Sequence, residues 1–294
     1  MGWKRDAVMW LYRRGLLPGQ FLKVYVMPRL VQGTTSPYQG ARFFESYYKS
    51  CAAEGLFSDR ITLAPFAQSA PTRFHYNATE NSILKCLVRH PVREAPAVLD
   101  IGSGAGHWVD FWLDAFDASF VCGIDISATC AESLRAKYAQ NDKVVVLEGD
   151  ISRQTEFAGR KFDVISAIGV MFHIVEDDLW RQALHNMRQL LNDGGAIVVG
   201  GHFGWLTQDV QFHVTDDFGN LEQAMGSMTG VSYGLRGRGS GNRVYTNKRV
   251  RSLRMWKHAA AEAGLQVQML QKTMRDPVIP APESNILLLR AAAR

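Results

Sequence analysis

The sequence has few cysteines and no long hydrophobic run, and both absences limit what the protein can be. It has 4 cysteines in 294 residues, and no two of them show the Cys-x-x-Cys spacing of a metal or redox site. No apolar run approaches the roughly 18 residues of a membrane-spanning helix, and the first residues lack the apolar core of a signal peptide. These features predict reduced structural thiols, no metal site and a cytoplasmic protein.

The sequence also lacks internal repeats, low-complexity tracts and a strong charge imbalance. Its net charge of +5 is modest for a nucleic-acid-binding protein, and nothing resembles an added RNA-binding module. Hydrophobic residues make up 47% of the chain, which is ordinary for a globular domain. We therefore expect one large domain, or a domain with an extension, that acts on a small molecule and has no specific nucleic-acid partner.

The most informative stretch runs from Val98 to Gly106 and reads Val-Leu-Asp-Ile-Gly-Ser-Gly-Ala-Gly. Its apolar start predicts a buried strand, and a helical pattern follows from Trp108. Glycines between a strand and a helix let the backbone approach a ligand closely. Asp125 ends the next apolar run about 20 residues later, where a carboxylate can bind both ribose hydroxyls of a nucleotide. The pattern predicts a nucleoside-binding α/β domain.

The glycine spacing and a neighbouring acid favour one kind of nucleoside. Dinucleotide sites prefer Gly-x-Gly-x-x-Gly, whereas this chain has Gly102, Gly104 and Gly106, with His107 in place of the third glycine. Asp100 lies just before the turn, where its charge would repel a pyrophosphate but attract an ammonium or a sulfonium. S-adenosylmethionine carries both positive groups and no phosphate, so these residues favour it over NAD.

From about Ala97 onward, the chain resembles the class I S-adenosylmethionine-dependent methyltransferases. The segments that carry the resemblance follow the family's order: Asp100–Gly106, Gly123–Ser127, Glu148–Ile151, Phe162–Ile174 and Leu190–Gly195. The resemblance implies a Rossmann-like fold and transfer of a methyl group from S-adenosylmethionine.

The resemblance also implies which residues bind the cofactor. Asp100 and the glycines would hold the methionine part, and Asp125 would bind the ribose. Asp150 would meet the adenine amino group, with Ile151 and Ile126 against the ring. The complete predicted set is Tyr47, Arg73, Asp100, Gly102, Gly104, Gly106, Asp125, Ile126, Asp150, Ile151 and Ile168.

Two members of this set have an alternative interpretation. Tyr47 lies in a helical pattern near 41–54, where an aromatic hydroxyl could reach the methionine end of the cofactor or the ring could pack inward. Arg73 precedes a helical pattern near 79–90. It could line the site of the cofactor carboxylate, but the pattern slightly favours a plain loop there.

The hydrophobic periodicity predicts a doubly wound α/β fold with a seven-stranded sheet. We expect strands near 97–102, 119–126, 143–149, 162–169, 195–201, 265–273 and 285–290. Helices are expected near 177–191, capped by Asp177 or Asp178, and near 252–263, capped by Ser252. In the family, the last two strands form an antiparallel hairpin at the sheet edge.

Two segments lie outside this core. Residues 1–95 contain helical patterns and predict an N-terminal extension or lid ahead of a methyltransferase domain at 96–294. Residues 202–247, after the fifth strand, are too long for an ordinary connection and predict a cap insertion. Because ligands bind beyond the carboxyl ends of the strands, both segments can close over the site and determine the choice of substrate.

Two histidines are candidates for catalysis. His173 follows the fourth strand and His202 ends the fifth, so both are expected at the cofactor crevice. A neutral imidazole there could accept a proton from a substrate hydroxyl as the methyl group moves. The alternative is that either ring only shapes the pocket.

The cap insertion supplies the candidate substrate contacts. Trp205, Phe212 and His213 could form an aromatic wall, or they could simply pack within the cap. From Arg236 to Lys257 there are eight Lys or Arg residues and no acid, in a stretch that begins rich in glycine. Arg238 and Arg243 could bind an acidic group of the substrate. The stretch could also bind RNA nonspecifically, or it could be a solvated surface with a mobile loop.

Several alternatives remain open from the sequence. We expect methylation of an oxygen or nitrogen of a small molecule, possible examples being acidic, glycan or natural-product substrates. The alternatives are an RNA or protein methyltransferase and a regulatory subunit that binds the cofactor without turnover. Residues 1–31 could lie on a membrane surface, but their amphipathic pattern favours docking on protein. The sequence does not determine the oligomeric state.

Overall fold

The computed structural model describes residues 40–53, 69–153, 157, 159–201, 203, 207–215, 243–272 and 285–292. The strands in this part of the chain are β1 Ala97–Ile101, β2 Phe120–Asp125, β3 Val144–Glu148, β4 Phe162–Ile168, β5 Leu191–Gly201, β6 Gln208–Thr215, β7 Arg243–Val250, β8 Leu265–Gln271 and β9 Asn285–Ala291. The helices are α1 Gly40–Ala53, α2 Ser69–Arg89, α3 His107–Phe116, α4 Ala128–Lys137, α5 Asp177–Leu190 and α6 Leu253–Glu262.

Seven strands form the central sheet, in the order β3-β2-β1-β4-β5-β9-β8. The first five of this order run parallel, and β9 is antiparallel to both β5 and β8. The predicted seven-stranded sheet and its antiparallel C-terminal hairpin are confirmed. Because the parallel strands point the same way, their carboxyl ends lie along one edge of the sheet, where this kind of fold binds ligands.

Helices cover both faces of the sheet, as the doubly wound prediction requires. Successive residues of a strand point to opposite faces. Accordingly, Val98 of β1 belongs to the apolar cluster formed with α2, α3 and α4, whereas Leu99 belongs to the cluster formed with α5 and α6. Both side chains are fully buried. The short apolar strands are therefore interior on both sides, which explains why the sequence patterns located them well.

The start of α2 differs from the prediction. The sequence predicts a helix near 79–90, preceded by a loop that contains Arg73. In the structure α2 begins at Ser69, so Arg73 lies on the helix. Pro71 lies in the first turn of the helix, where the N–H that proline lacks would have no intrahelical partner. The proline is therefore compatible with an earlier start.

The cap insertion after β5 contains a two-stranded sheet. β6 and β7 pair antiparallel, with Gln208 opposite Val250 and Thr215 opposite Arg243. β7 thus continues three residues beyond the predicted boundary at residue 247. It packs against α1 and against a single 3₁₀ turn, Met171–His173, that follows β4.

The three cysteines whose side chains the structure describes are interior, as expected of structural thiols. Cys86, Cys122 and Cys130 are free thiols and are buried. Burial raises the pKa of Cys86 to about 11 and that of Cys122 to about 12, so both stay protonated and unreactive at neutral pH. No helix within the described ranges is long and apolar enough to cross a membrane.

Candidate active site

A cavity lies at the carboxyl ends of β1, β2 and β4, between the glycine turn and helices α1 and α2. Gly102 begins the turn with a φ of +70°, a conformation that side chains disfavour. A Cβ at Gly102 would also lie 2.3 Å from Cγ2 of Val170, in the segment that leaves β4. The Gly102 N–H donates to the carbonyl oxygen of Ile124 at 2.7 Å, which ties the turn to β2.

Asp100 is the acid at the base of the cavity, and it is fully buried. Its Oδ1 accepts a hydrogen bond from the Ser166 hydroxyl, which itself accepts one from Trp112 Nε1 at 3.1 Å. Its Oδ2 has no hydrogen-bond partner among the described residues. Burial raises the pKa of Asp100 to about 7, although the hydrogen bonds from Ser166 and Ser103 oppose the increase. Oδ2 of Asp100 is therefore a buried carboxyl oxygen that accepts no hydrogen bond from the described residues.

Asp125 ends β2 and lines the same cavity. Its Oδ2 accepts from the Gly104 N–H and its Oδ1 from the Ser127 N–H, both at 2.9 Å. Burial raises the pKa of Asp125, while these N–H groups favour the charged form. A carboxylate can accept about four hydrogen bonds, so acceptor capacity remains for a ligand.

The other end of the cavity is apolar, with one acid at its rim. Ile151 is 3% exposed and Ile126 is 40% exposed, and both line the cavity together with Asp150. Asp150 Oδ1 accepts from the N–H of Ser152 at 2.9 Å and from its hydroxyl at 2.7 Å, which fixes the turn. Asn186 of α5 donates to the Ile151 carbonyl oxygen at 2.8 Å. This buried amide was not among the predicted residues.

His173 lies on the 3₁₀ turn after β4 and lines the cavity, as does Ile168 at the end of the strand. The imidazole meets the ring of Phe44 edge to face, with centroids 4.9 Å apart. The backbone N–H of His173 donates to the Val170 carbonyl oxygen at 2.8 Å. This hydrogen bond holds the backbone of the turn in place, and the His173 side chain lines the cavity.

Two arginines bind the segment that follows this turn. Arg249 lies near the end of β7, and Arg251 comes directly after the strand. Arg251 is 1% exposed, and its guanidinium donates to the carbonyl oxygens of Ile174 and Val175 at 2.9 and 3.1 Å. It also pairs with Asp177 at 2.9 Å. Arg249 donates to Val175 as well, at 3.2 Å. Asp177 thus binds an arginine instead of capping α5, whose N-cap residue is Glu176.

Aromatic side chains of α1 and α2 form the remaining walls. Phe44 and Tyr48 lie one helical turn apart on α1, and both line the cavity. Tyr76 of α2 stacks on His107 with ring centroids 3.6 Å apart, and His107 Nε2 lies 2.8 Å from a carboxylate oxygen of Glu80. Tyr48 was not among the predicted cofactor residues, and the side chain of its neighbour Tyr47 lies outside the described residues. The four-residue spacing from Phe44 to Tyr48 was the available signal.

The structure brings most of the predicted cofactor residues together. The predicted residues that line the cavity are Gly102, Gly104, Asp125, Ile126, Asp150, Ile151 and Ile168. Asp100 is buried beneath them.

Two predicted residues do not line the cavity. Gly106, with a φ of +91°, faces α4, where a Cβ would lie 2.7 Å from the Tyr138 hydroxyl and 2.8 Å from Leu134. Arg73 is exposed on α2. Gly106 therefore serves the turn by letting it pack on α4, and the arginine expected near the cofactor points to solvent.

Several predicted residues fall wholly or partly outside what the structure describes. His202, Trp205 and Arg238 lie outside the described residues, as do residues 1–39. Tyr47 lies on α1, Phe212 and His213 lie on β6, and Arg243 begins β7, but only their backbone is described. Their roles stay predictions.

Comparison with known proteins agrees with this geometry. Residues 98–195 match the family model described as a methyltransferase domain. No curated protein sequence matches the chain.

Solved structures share the fold at low sequence identity. An S-adenosylmethionine-dependent methyltransferase from Clostridium acetobutylicum is 13% identical to this chain. The superposition covers 74% of this chain and 92% of that protein, with a TM-score of 0.53. DhpI, in complex with SAH, is 16% identical, with coverages of 86% and 98% and a TM-score of 0.54. The 1,6-didemethyltoxoflavin-N1-methyltransferase of Burkholderia thailandensis is 15% identical, with coverages of 89% and 93% and a TM-score of 0.54.

Proposed function

We propose that this chain is a class I S-adenosylmethionine-dependent methyltransferase and that it methylates an oxygen or nitrogen atom of a small molecule. The observation that carries the proposal is the wall that α1 builds over the cavity. Phe44 and Tyr48 line it beside His173, so an acceptor bound there would lie against aromatic side chains. Such a cavity suits a small molecule better than a bulky RNA or protein surface.

The residues present fit the cofactor. Asp100 Oδ2 is buried and lacks a donor among the described residues, which is the environment that an ammonium group would satisfy. Acids also line the places where a ribose and an adenine amino group would lie, and none of these positions suits a pyrophosphate. When bound, S-adenosylmethionine supplies a methyl group on a positively charged sulfur.

The chain's own residues would bind and orient this cofactor. Asp100 would accept from the ammonium, and the turn at Gly102 and Gly104 would lie against the methionine part. Asp125 would accept from the ribose hydroxyls through the acceptor positions that Gly104 and Ser127 leave open. Asp150 would meet the adenine amino group. Ile126 and Ile151 would cover the ring and exclude water from it.

His173 is the proposed base. Its turn places the imidazole at the cavity, where it could take the proton of a hydroxyl acceptor as the new bond to carbon forms. An amine acceptor would need little help of this kind. The chain's main contribution would then be to hold the acceptor in line with the methyl group.

The two alternative functions would need a different kind of site. An RNA or protein methyltransferase needs an open surface beside the methyl group, whereas here Phe44 and Tyr48 of α1 form part of the cavity wall. A regulatory subunit without turnover would not need the imidazole at the acceptor position. The Burkholderia thailandensis structure, which holds 1,6-didemethyltoxoflavin and S-adenosylhomocysteine, supports the small-molecule proposal as an example of this fold.

The proposal is tested by following the methyl group. The purified protein is incubated with tritiated S-adenosylmethionine and, separately, with small-molecule, RNA and protein fractions of a cell extract. We expect label in the small-molecule fraction. Label confined to RNA or protein contradicts the proposal, and so does cofactor binding with no transfer to any fraction.

A further inference from the structure

Helix α1 is joined to the cofactor cavity by more than its aromatic side chains. Phe44 and Tyr48 lie on one face of the helix and line the cavity. Glu45 is next to Phe44 in the sequence and points to a different neighbour, the start of α4. Since α4 follows directly after Asp125 and Ile126, this contact links the wall of the cavity to its floor.

The carboxylate of Glu45 accepts hydrogen bonds from three groups of α4 and its cap. Ser127 Oγ donates to Oε2 at 2.7 Å, and Thr129 Oγ1 donates to Oε1 at 2.9 Å. The Thr129 N–H also points to Oε2, at 3.3 Å. Lys49, one turn along α1, lies 3.2 Å from Oε1. These partners are more than 80 positions away along the chain, except for Lys49.

The donors favour the charged form of Glu45 strongly. Partial burial raises its pKa, but the hydrogen bonds from Ser127, Thr129 and Lys49 outweigh that effect and bring the pKa down to about 2. A carboxylate at the first turn of a helix is also stabilised by the helix dipole. Glu45 is therefore ionised under all ordinary conditions, and its contacts to α4 are charge-assisted.

Ser127 is the residue at which these contacts meet the ribose site. Its N–H donates to Asp125 Oδ1 at 2.9 Å, its hydroxyl donates to Glu45, and the same oxygen accepts from the Cys130 N–H at 3.2 Å as the N-cap of α4. The rotation of this one hydroxyl is fixed by Glu45. The backbone that orients Asp125 is consequently held from both sides.

We propose that Glu45 is a positioning residue for the cofactor, which holds α1 closed against the start of α4 and keeps Phe44, Tyr48 and Asp125 in place around the bound molecule. The inference rests on the cofactor and does not depend on the identity of the acceptor. Cofactor release would then require the Glu45 contacts to break. Their loss should act mainly on the rate of dissociation, since it is the closed arrangement that they stabilise.

Glutamine at position 45 tests the charge without changing the shape. Its amide offers one oxygen and one NH₂ group, so it can no longer accept from both Ser127 and Thr129, and it leaves Lys49 beside a donor. Thr129→Val removes a single hydroxyl from the other side of the same contact. Glu132→Gln is the matched control, because Glu132 is an exposed acid on α4 and loses the same charge.

The experiment measures binding of S-adenosylhomocysteine to immobilised full-length protein by surface plasmon resonance. Binding by the unmodified protein is measured first and depends on the cofactor assignment alone. We expect Glu45→Gln to raise the dissociation rate about tenfold and to change the association rate less than about twofold. Thr129→Val should raise the dissociation rate about threefold, and Glu132→Gln should leave it unchanged.

The double variant decides whether the two residues act through one contact. If they do, Glu45→Gln with Thr129→Val should dissociate about as fast as Glu45→Gln alone. Fully multiplied effects in the double variant would overturn the proposal, and so would wild-type dissociation rates in both single variants. Circular dichroism establishes that each variant is folded. If Glu45→Gln does not fold, a wild-type rate in Thr129→Val alone is sufficient to reject the proposal.

Discussion

At the residue scale, the site contains two buried acids with different surroundings. Asp125 receives backbone N–H groups on both of its oxygens, and these offset part of the effect of burial. Asp100 receives a hydroxyl on Oδ1, while Oδ2 has no partner within the described residues. Asp100 is therefore the acid whose protonation should change most when a positive group arrives.

This difference predicts that cofactor binding releases a proton. Burial raises the pKa of Asp100 to about 7, and a bound ammonium would favour the ionised form. The affinity for S-adenosylhomocysteine should thus increase from about pH 5.5 to about pH 8 and then become constant, with up to about one proton released per site at the acid end. Calorimetry in two buffers with different ionisation enthalpies measures that proton directly.

The control for this pH dependence is Asp100→Asn, which does not titrate. The variant lacks the carboxyl group, so proton release from any other group would persist in it. An identical proton release in Asp100→Asn would therefore refute the assignment to Asp100. The stability of the ligand-free fold depends on pH in the opposite direction from the ligand affinity. The raised pKa stabilises the fold at acid pH, and this contribution disappears as the pH rises through 7.

His173 supplies the second prediction at this scale. If its imidazole accepts the proton of a hydroxyl acceptor, His173→Gln should lower kcat by about 10²–10⁴-fold, because glutamine fills the space but cannot act as a base. The affinity for S-adenosylhomocysteine should hardly change, since the predicted cofactor contacts lie on other residues. Measurement of kcat and of binding on the same preparation checks both statements. A near-native kcat would mean that the ring only shapes the cavity.

At the element scale, the cap insertion and the turn that carries His173 form one unit. The turn is a short 3₁₀ segment with little hydrogen bonding of its own. The carbonyl oxygens of Ile174 and Val175 point to Arg251, whose guanidinium also lies over the Trp180 ring at 4.3 Å. The basic stretch near the end of the insertion thus includes a structural arginine. From the sequence, substrate binding, nonspecific RNA binding and a solvated surface were the alternatives for this stretch.

Replacement of this arginine should destabilise the protein. Arg251→Met fills the volume but leaves the Ile174 carbonyl oxygen without its arginine donor. Val175 and Asp177 would keep only their contacts with Arg249, at 3.2 and 3.7 Å. We expect the free energy of unfolding to fall by about 3 kcal/mol. Urea denaturation checks the value. Arg254→Met, three residues later on an exposed surface, should change the stability by less than about 0.5 kcal/mol. Equal effects of the two substitutions would show that Arg251 does not hold the turn.

At the scale of the whole molecule, local patterns predicted the sheet better than the site. Most strands of the central sheet contain a short apolar run ended by glycine or a polar residue, and these signals do not depend on distant parts of the chain. The start of α2 was predicted ten residues too late because a proline in a first turn resembles a loop. The predicted cofactor acids share one cavity since the fold places the ends of the parallel strands together.

The contacts that support the site could not be predicted in the same way. Glu45, Asn186 and Arg251 all act on residues at least 35 positions away. A charged or polar side chain on an amphipathic segment usually faces water, and no local pattern identifies which one finds a buried partner. The family resemblance did not help either, because these three residues lie outside the motifs that carry it.

The position of β9 in the sheet has a consequence for synthesis of the protein. β9 is the last described strand in the sequence, yet it lies inside the sheet, between β5 and β8, and its residues from Ile286 to Leu289 are fully buried. On the ribosome, β5 therefore emerges about 90 residues before the strand that will cover its edge. Until then the nascent chain exposes an apolar, unpaired strand edge. The cell has to protect this edge throughout translation of the cap insertion and α6.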